Sequence, residues 1–204
     1  MALTLTPIAE LDAINMMLMS IGQSPVNTVT STGIKDVAVA ELILHNTSRS
    51  IQSEGWAFNT DYDLDITPDG NDRILVPSNC LHIDPVNPGE DFVQRYDTAN
   101  TAMSMYDLID QTFTRTKALA VDIIYFYDFE YLPQTARDYI AISAGQIFQA
   151  QAISSELLFR FEEKDIQKAL VRLMRAQTRT KDRNYLSGVD FANQIFHRRR
   201  NPQH

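Results

Sequence analysis

Residues Leu119 to Ile153, LAVDIIYFYDFEYLPQTARDYIAISAGQIFQAQAI, change their hydrophobic period halfway along, and that change decides the fold. In the first part Val121, Ile123, Tyr125 and Tyr127 alternate with Asp122, Ile124, Phe126 and Asp128. β-Branched and aromatic residues dominate there, as in a strand apolar on most of both faces. Pro133 closes the strand and suits the first turn of a helix, where its missing N–H loses no hydrogen bond. Beyond it Ala136, Ile140, Ala144, Ile147 and Gln151 recur three or four residues apart, with Tyr139, Ser143 and Phe148 alongside, which predicts a helix with one wide apolar stripe. A β region precedes this junction and a helical region follows it.

Upstream, Thr6 and Pro7 form an N-cap and first-turn pair ahead of Ile8, Leu11, Ile14, Leu18 and Ile21 at helical spacing, and Gly22 and Pro25 stop that helix. Met16, Met17 and Met19 widen its apolar surface. They are expected to serve as adaptable core filler, with a partner-binding face as the alternative. A second helix is predicted from Asp36 to Ser53, with Val37, Ala40, Leu44 and Ile51 inward and Gly55 at its end; the two helices suit an antiparallel pair. From Trp56 the pattern turns to β. Tyr62, Leu64 and Ile66 alternate with Asp61, Asp63 and Asp65, and the turn signal PDGND precedes Ile74, Leu75 and Val76, which predicts a hairpin. Further short strands are expected at Cys80 to Asp84, Phe92 to Tyr96, Tyr106 to Ile109 and Phe113 to Thr116.

Downstream, Ser154 and Ser155 can cap a long helix with Glu156, Glu162 and Glu163 near its positive end and Lys164, Lys168, Arg172, Arg175 and Arg179 toward its negative end. Leu158, Ile166, Leu170, Leu173 and Gln177 mark its buried side. The basic row is expected to be a solvated face that complements the helix dipole. In GVDFANQIFHRRRNPQH, Phe191, Ile195 and Phe196 share a helical face too short to hold a helix alone, beside a positive patch of Arg198, Arg199 and Arg200.

A chain of 204 residues with 44% apolar composition can bury a core as one large domain or two small ones. No apolar run approaches the roughly 18 residues that span a bilayer, so no membrane partner is expected. The first residues, without early Lys or Arg, do not predict a secretory signal. Cys80 is the only cysteine, which excludes an internal disulfide and fits a reducing compartment. Net charge is −8, unevenly spread. Residues 160–204 hold eleven basic and five acidic side chains, +6, which leaves seven basic and twenty-one acidic, −14, for residues 1–159. An acidic surface discourages non-specific contact with nucleic acid, while the basic end can meet phosphates or an acidic protein.

Candidate chemistry is sparse. Asp61, Asp63 and Asp65, with Asp69 and Asp72 near, have acids at calcium-loop spacing, but Ile66 stands where the loop needs glycine, so a solvated strand face is expected. His45, His82, His197 and His204 are scattered without ligand spacing, and no metal or cofactor is expected. Asp128 and Glu130 are the carboxylates a hydrolase would need. The nucleophile elbow, phosphate loop, dinucleotide fingerprint and zinc-protease helix are all missing, so an enzyme is not expected. Cys80 has no histidine beside it in a nucleophile's arrangement and is expected to be a buried thiol.

The segments ELDAINMMLMSIGQSPV, SRSIQSEGWAFN, ILVPSNCLHID and FEYLPQTARDYIAISAGQIFQAQ, in that order, resemble the tail tubular protein A family, the head-to-tail adaptors of short-tailed bacteriophages. The resemblance runs from about Glu10 to Tyr185 and is carried by Ile21-Gly22 with Pro25-Val26, Gly55-Trp56 with Phe58-Asn59, and Leu132-Pro133 with Tyr139-Ile140. It implies a non-enzymatic virion protein, made in the host cytoplasm. It also implies a dodecameric ring between the portal protein and the tail nozzle protein (tail tubular protein B), with DNA passing through the lumen without sequence-specific binding.

The expected fold is therefore α+β, with a helical bundle of residues 1–56 and 131–187, an inserted antiparallel β domain of residues 57–130 and a docking segment of residues 188–204. Leu132 and Pro133 are the expected domain hinge, and Phe191, Ile195, Phe196, Arg198, Arg199 and Arg200 the expected portal-docking residues. Two rival functions stand beside this one: a nucleic-acid-binding protein working through Arg172 to Arg200, and a cell-envelope hydrolase working through Asp128 and Glu130.

Overall fold

Apolar residues three and four apart build helices at both ends of the chain, and the alternating segments between them build strands. The computed structural model of the protein describes residues 8–29, 35–152 and 156–185, with the side chains of these spans except 152–162 and 180–185. Among the described residues the architecture is α+β, with helices α1 (Glu10–Ser20), α2 (Lys35–Gln52), α3 (Gln134–Ala152) and α4 (Glu156–Tyr185), and five strands between α2 and α3.

The first helix starts later than expected. Thr6 and Pro7 lie outside the described residues, and the N-cap of α1 is Ala9, whose N–H donates to Asp12 Oδ2 at 3.2 Å. Its end follows the glycine signal: Gly22 has φ +80, its N–H donates to Met19 O at 3.0 Å, and Gln23 N–H donates to Leu18 O at 3.0 Å. α2 buries Val37, Ala40, Leu44 and Ile51 as its spacing predicts. α3 packs on α1, α2 and α4, and its small residues Ala136, Ala141 and Ala144, all buried, admit close neighbours. Ile14, Met17, Leu18, Leu44, Trp56, Ile140, Phe148 and Leu173 complete this helical core. The expected stripe of α3 is wrong at one end, because Phe148 turns inward while Ile147 is 43% exposed and Gln151 is exposed. The methionines divide: Met17 fills the core, and Met16 and Met19 face solvent.

β5 (Leu119–Tyr125) is the centre of a three-stranded antiparallel sheet, flanked by β1 (Thr60–Ile66) and β2 (Cys80–Pro85). β3 (Phe92–Asp97) and β4 (Ala102–Asp107) form a two-stranded ribbon. Leu119, Val121 and Ile123 are fully buried and, with Ile74, Ile83, Phe92 and Met105, make a second core between sheet and ribbon. The most apolar strand takes the central place because only there do both edges find partners and the apolar side chains find cover.

Four β expectations are corrected. The PDGND turn forms, with Asp69 Oδ1 accepting the N–H of Asn71 and Arg73 at 2.9 Å each. It does not make a hairpin with β1, however. Ile74 O instead accepts Met105 N–H at 2.9 Å, so the segment joins the ribbon while β1 pairs with β5. Phe113 to Thr116 is not a strand: its one isolated bridge is Thr114 with Arg73, and Arg115 N–H donates to Asp72 O at 2.8 Å, while the strand expected at Tyr106 to Ile109 runs instead from Ala102 to Asp107. The acids of β1 do not form a straight row, because a bulge between Asp61 and Leu64 puts Asp63 at φ 53, its N–H held by Asp122 Oδ1 at 3.0 Å.

Candidate functional site

Helices and strands meet at a junction built from two buried amides and one buried guanidinium. α2 ends at Gln52, whose side chain has no exposed surface. Its Nε2 donates to Tyr127 O and its Oε1 accepts Tyr127 N–H, both at 2.9 Å, so one side-chain amide pairs with the chain leaving β5 as a strand would. Gly55 then reverses the chain at φ +75, and a Cβ there would stand 2.8 Å from Ile124 Cδ1. Asn59, buried just before β1, donates from Nδ2 to Gln52 O at 2.9 Å and to Tyr125 O at 2.8 Å, while its Oδ1 accepts Trp56 N–H at 2.9 Å. Trp56 Nε1 donates to Ile51 O at 2.7 Å. The bonds of Gln52 to Tyr127 and of Asn59 to Gln52 and Tyr125 join different segments, so the end of α2, the start of β1 and the end of β5 cannot separate without orphaning several groups.

Across the junction, a 3-10 turn (Phe129–Tyr131) leads through extended Leu132 and Pro133 into α3. Leu132 is buried and Pro133 exposed; Pro133 O accepts Ala136 N–H at 2.9 Å and Arg137 N–H at 3.1 Å, which makes Pro133 the residue at the helix boundary. Arg137, 7% exposed, folds its guanidinium back over this turn. It donates to Leu132 O at 2.8 Å, to Ile8 O at 2.9 Å and to Glu130 O, and lies 3.6 Å from Glu130 Oε2. Glu130 Oε1 accepts Glu10 N–H at 3.0 Å, and Gln134 Oε1 accepts Ile8 N–H at 2.9 Å. Glu130, a hydrolase carboxylate in the rival reading, thus anchors the first turn of α1, and Asp128 precedes the 3-10 turn on the surface.

The surfaces around this junction are of three kinds. Along α4, Lys164, Lys168, Arg172, Arg175 and Arg179 are all exposed, Lys168 pairing with Asp165 at 2.8 Å. Ile166, Leu170 and Gln177 are half-buried and Leu173 buried, as their spacing predicts. A groove of about 440 Å³ between α1, α3 and α4 is floored by Met16, Met17, Ala141 and Ile142 and rimmed by Lys168 and Arg172. In the ribbon, Arg115 pairs with Glu90 and lies 4.8 Å over Phe92, and Arg95 lies 4.0 Å over Tyr106. Arg115 and the Asn87 amide hold the Glu90 carboxyl below its ordinary value of 4.5. Burial pushes the Cys80 thiol above its ordinary 9.0, partly offset by a hydrogen bond from the backbone of His82.

Among the described residues, Glu10, Glu41 and His45 bring three possible metal ligands together. This corrects the reading of His45 as isolated: Glu41 and His45 are one helical turn apart, a spacing the sequence already contained, and Glu10 arrives from α1. The portal-docking candidates Phe191, Ile195, Phe196, Arg198, Arg199 and Arg200 lie outside the described residues. No helix among the described residues is long and apolar enough to cross a membrane. Sequence reasoning missed Gln52 and Arg137 entirely and met Asn59 only as part of the resemblance.

The model of the family described as tail tubular protein matches residues 11–183 of the chain. Tail tubular protein A of Klebsiella phage KP34 is 30% identical over 132 residues, which cover 65% of this chain and 67% of that protein.

Proposed function

The chain belongs to the tail tubular protein family of structural phage tail proteins, and from that premise we propose that it is the head-to-tail adaptor of a short-tailed phage, without enzymatic activity. The observation that carries the reading is the family match across residues 11–183, which takes in nearly the whole of the described helices and strands. Copies made in the host cytoplasm assemble into a dodecameric ring between portal and nozzle, bundle against bundle. Residues 1–56 and 131–187 act as the ring-forming unit and residues 57–130 as the nozzle-side unit.

The exposed Met16 and Met19 of α1 and Val171 and Met174 of α4 support bundle-to-bundle contact, since apolar side chains at helix surfaces favour cover. Leu132 and Pro133 set the angle between the two units, braced by Arg137. The terminal residues Phe191, Ile195, Phe196, Arg198, Arg199 and Arg200 dock on the portal, because an apolar and basic segment too short to fold alone orders against a partner. DNA passes the lumen without sequence-specific contact, repelled by some of the acids that give residues 1–159 a charge of −14.

Deletion of residues 188–204 tests the docking role. The truncated chain is expected to melt as the full chain does and to lose capture by purified portal protein; capture at full strength contradicts it. Retention of the full chain by neither portal nor nozzle protein overturns the adaptor reading itself.

A further inference from the structure

Glu10, Glu41 and His45 converge where α1 meets α2, a ligand atom from each lying within 4.8 Å of the other two. Glu41 and His45, four residues apart, project from one face of α2. Glu10 is the first residue of α1, and its backbone N–H is held from outside the trio by Glu130 Oε1 at 3.0 Å. His45 Nε2 stands 2.6 Å from Glu10 Oε1, whereas Glu41 has neither hydrogen bond nor ion pair among the described residues. One carboxylate thus engages the imidazole and the other lies beside the pair. A proton on His45 offsets one negative charge; a divalent cation offsets both and engages all three donors.

We propose that Glu10, Glu41 and His45 form a binding site for a divalent cation of the zinc class, which ties the start of α1 to the middle of α2. Zinc bonds to nitrogen and oxygen of about 2.0–2.2 Å place tetrahedral donors about 3.3 Å apart. The trio reaches that spacing by small rotations of side chains that are 28% exposed at Glu10 and 47% at His45. Water takes the remaining position. The imidazole disfavours magnesium and calcium, which bind through oxygen shells of six or more ligands.

The test is calorimetric titration and thermal melting of the full chain with zinc chloride, and in parallel with magnesium and calcium chloride. One zinc ion per chain is expected, with a Tm rise of about 5–10 °C at a hundredfold excess over Kd. Glu41→Gln and His45→Gln, both partly exposed and checked for an unchanged metal-free melt, are expected to abolish the rise, while His82→Gln and the pair His197→Gln, His204→Gln keep it. No zinc response in the unmodified chain, a response that survives His45→Gln or Glu41→Gln, or an equal response to calcium overturns the proposal.

Discussion

At the scale of single residues, the junction depends on polar side chains buried at its centre. Asn59 serves two carbonyls and one N–H, from β5, α2 and Trp56. Asn59→Ala leaves all three without that partner, and a loss of about 2–3 kcal/mol is expected in chemical denaturation. Neither Gln52 nor Asn59 was legible from periodicity, because a buried amide and a surface amide look alike in a hydrophobic pattern; only the pairing partner, remote in sequence at Tyr127 or Tyr125, distinguishes them. Arg137 was hidden for the same reason, since a guanidinium on a helix ordinarily reads as solvent-facing. Glu90 makes a prediction of opposite kind, in pH. Its folded pKa lies below 4.5 because Arg115 and Asn87 favour the charged carboxylate. Its stabilisation is therefore fully present above about pH 4.5 and is lost as pH falls through the lower folded value. Glu90→Gln should cost about 0.5–1 kcal/mol at pH 7 and measurably less at pH 3, as read by urea denaturation at the two pH values.

At the scale of elements, the change of period in Leu119 to Ile153 was readable because strand and helix impose different spacings on the same apolar residues. The strand it predicts is β5, the helix α3, and the boundary falls at Pro133. Partners were harder to read than elements. The PDGND turn is genuine, yet the hairpin it suggests does not exist, since β1 and Ile74 each pair with a strand more than twenty-five residues away. A turn signal fixes local direction and leaves pairing to be decided by burial. The hinge proposal belongs here too. If Leu132 and Pro133 set the angle of the two units, Pro133→Gly, at an exposed position with freer backbone, should lower the melting temperature by only about 2–4 °C while broadening the distance distribution in small-angle X-ray scattering. An unchanged distribution would assign the angle to Arg137, Gln52 and Asn59 alone.

At the scale of the whole molecule, the charge asymmetry between residues 1–159 and 160–204 was plain in the sequence, but which acids share a face was not, because charge counts carry no direction. An acidic lumen is expected in the assembled ring, and a ring structure with a neutral or basic inner wall would contradict it. The proposed adaptor role draws on membership of the tail tubular protein family and on a subunit whose helical and β parts are joined by buried hydrogen bonds. Native mass measurement of the chain alone and mixed with portal protein tests this role most directly. The account predicts a dodecameric ring of the chain bound to portal; a chain that stays monomeric and unbound in the presence of portal would contradict it.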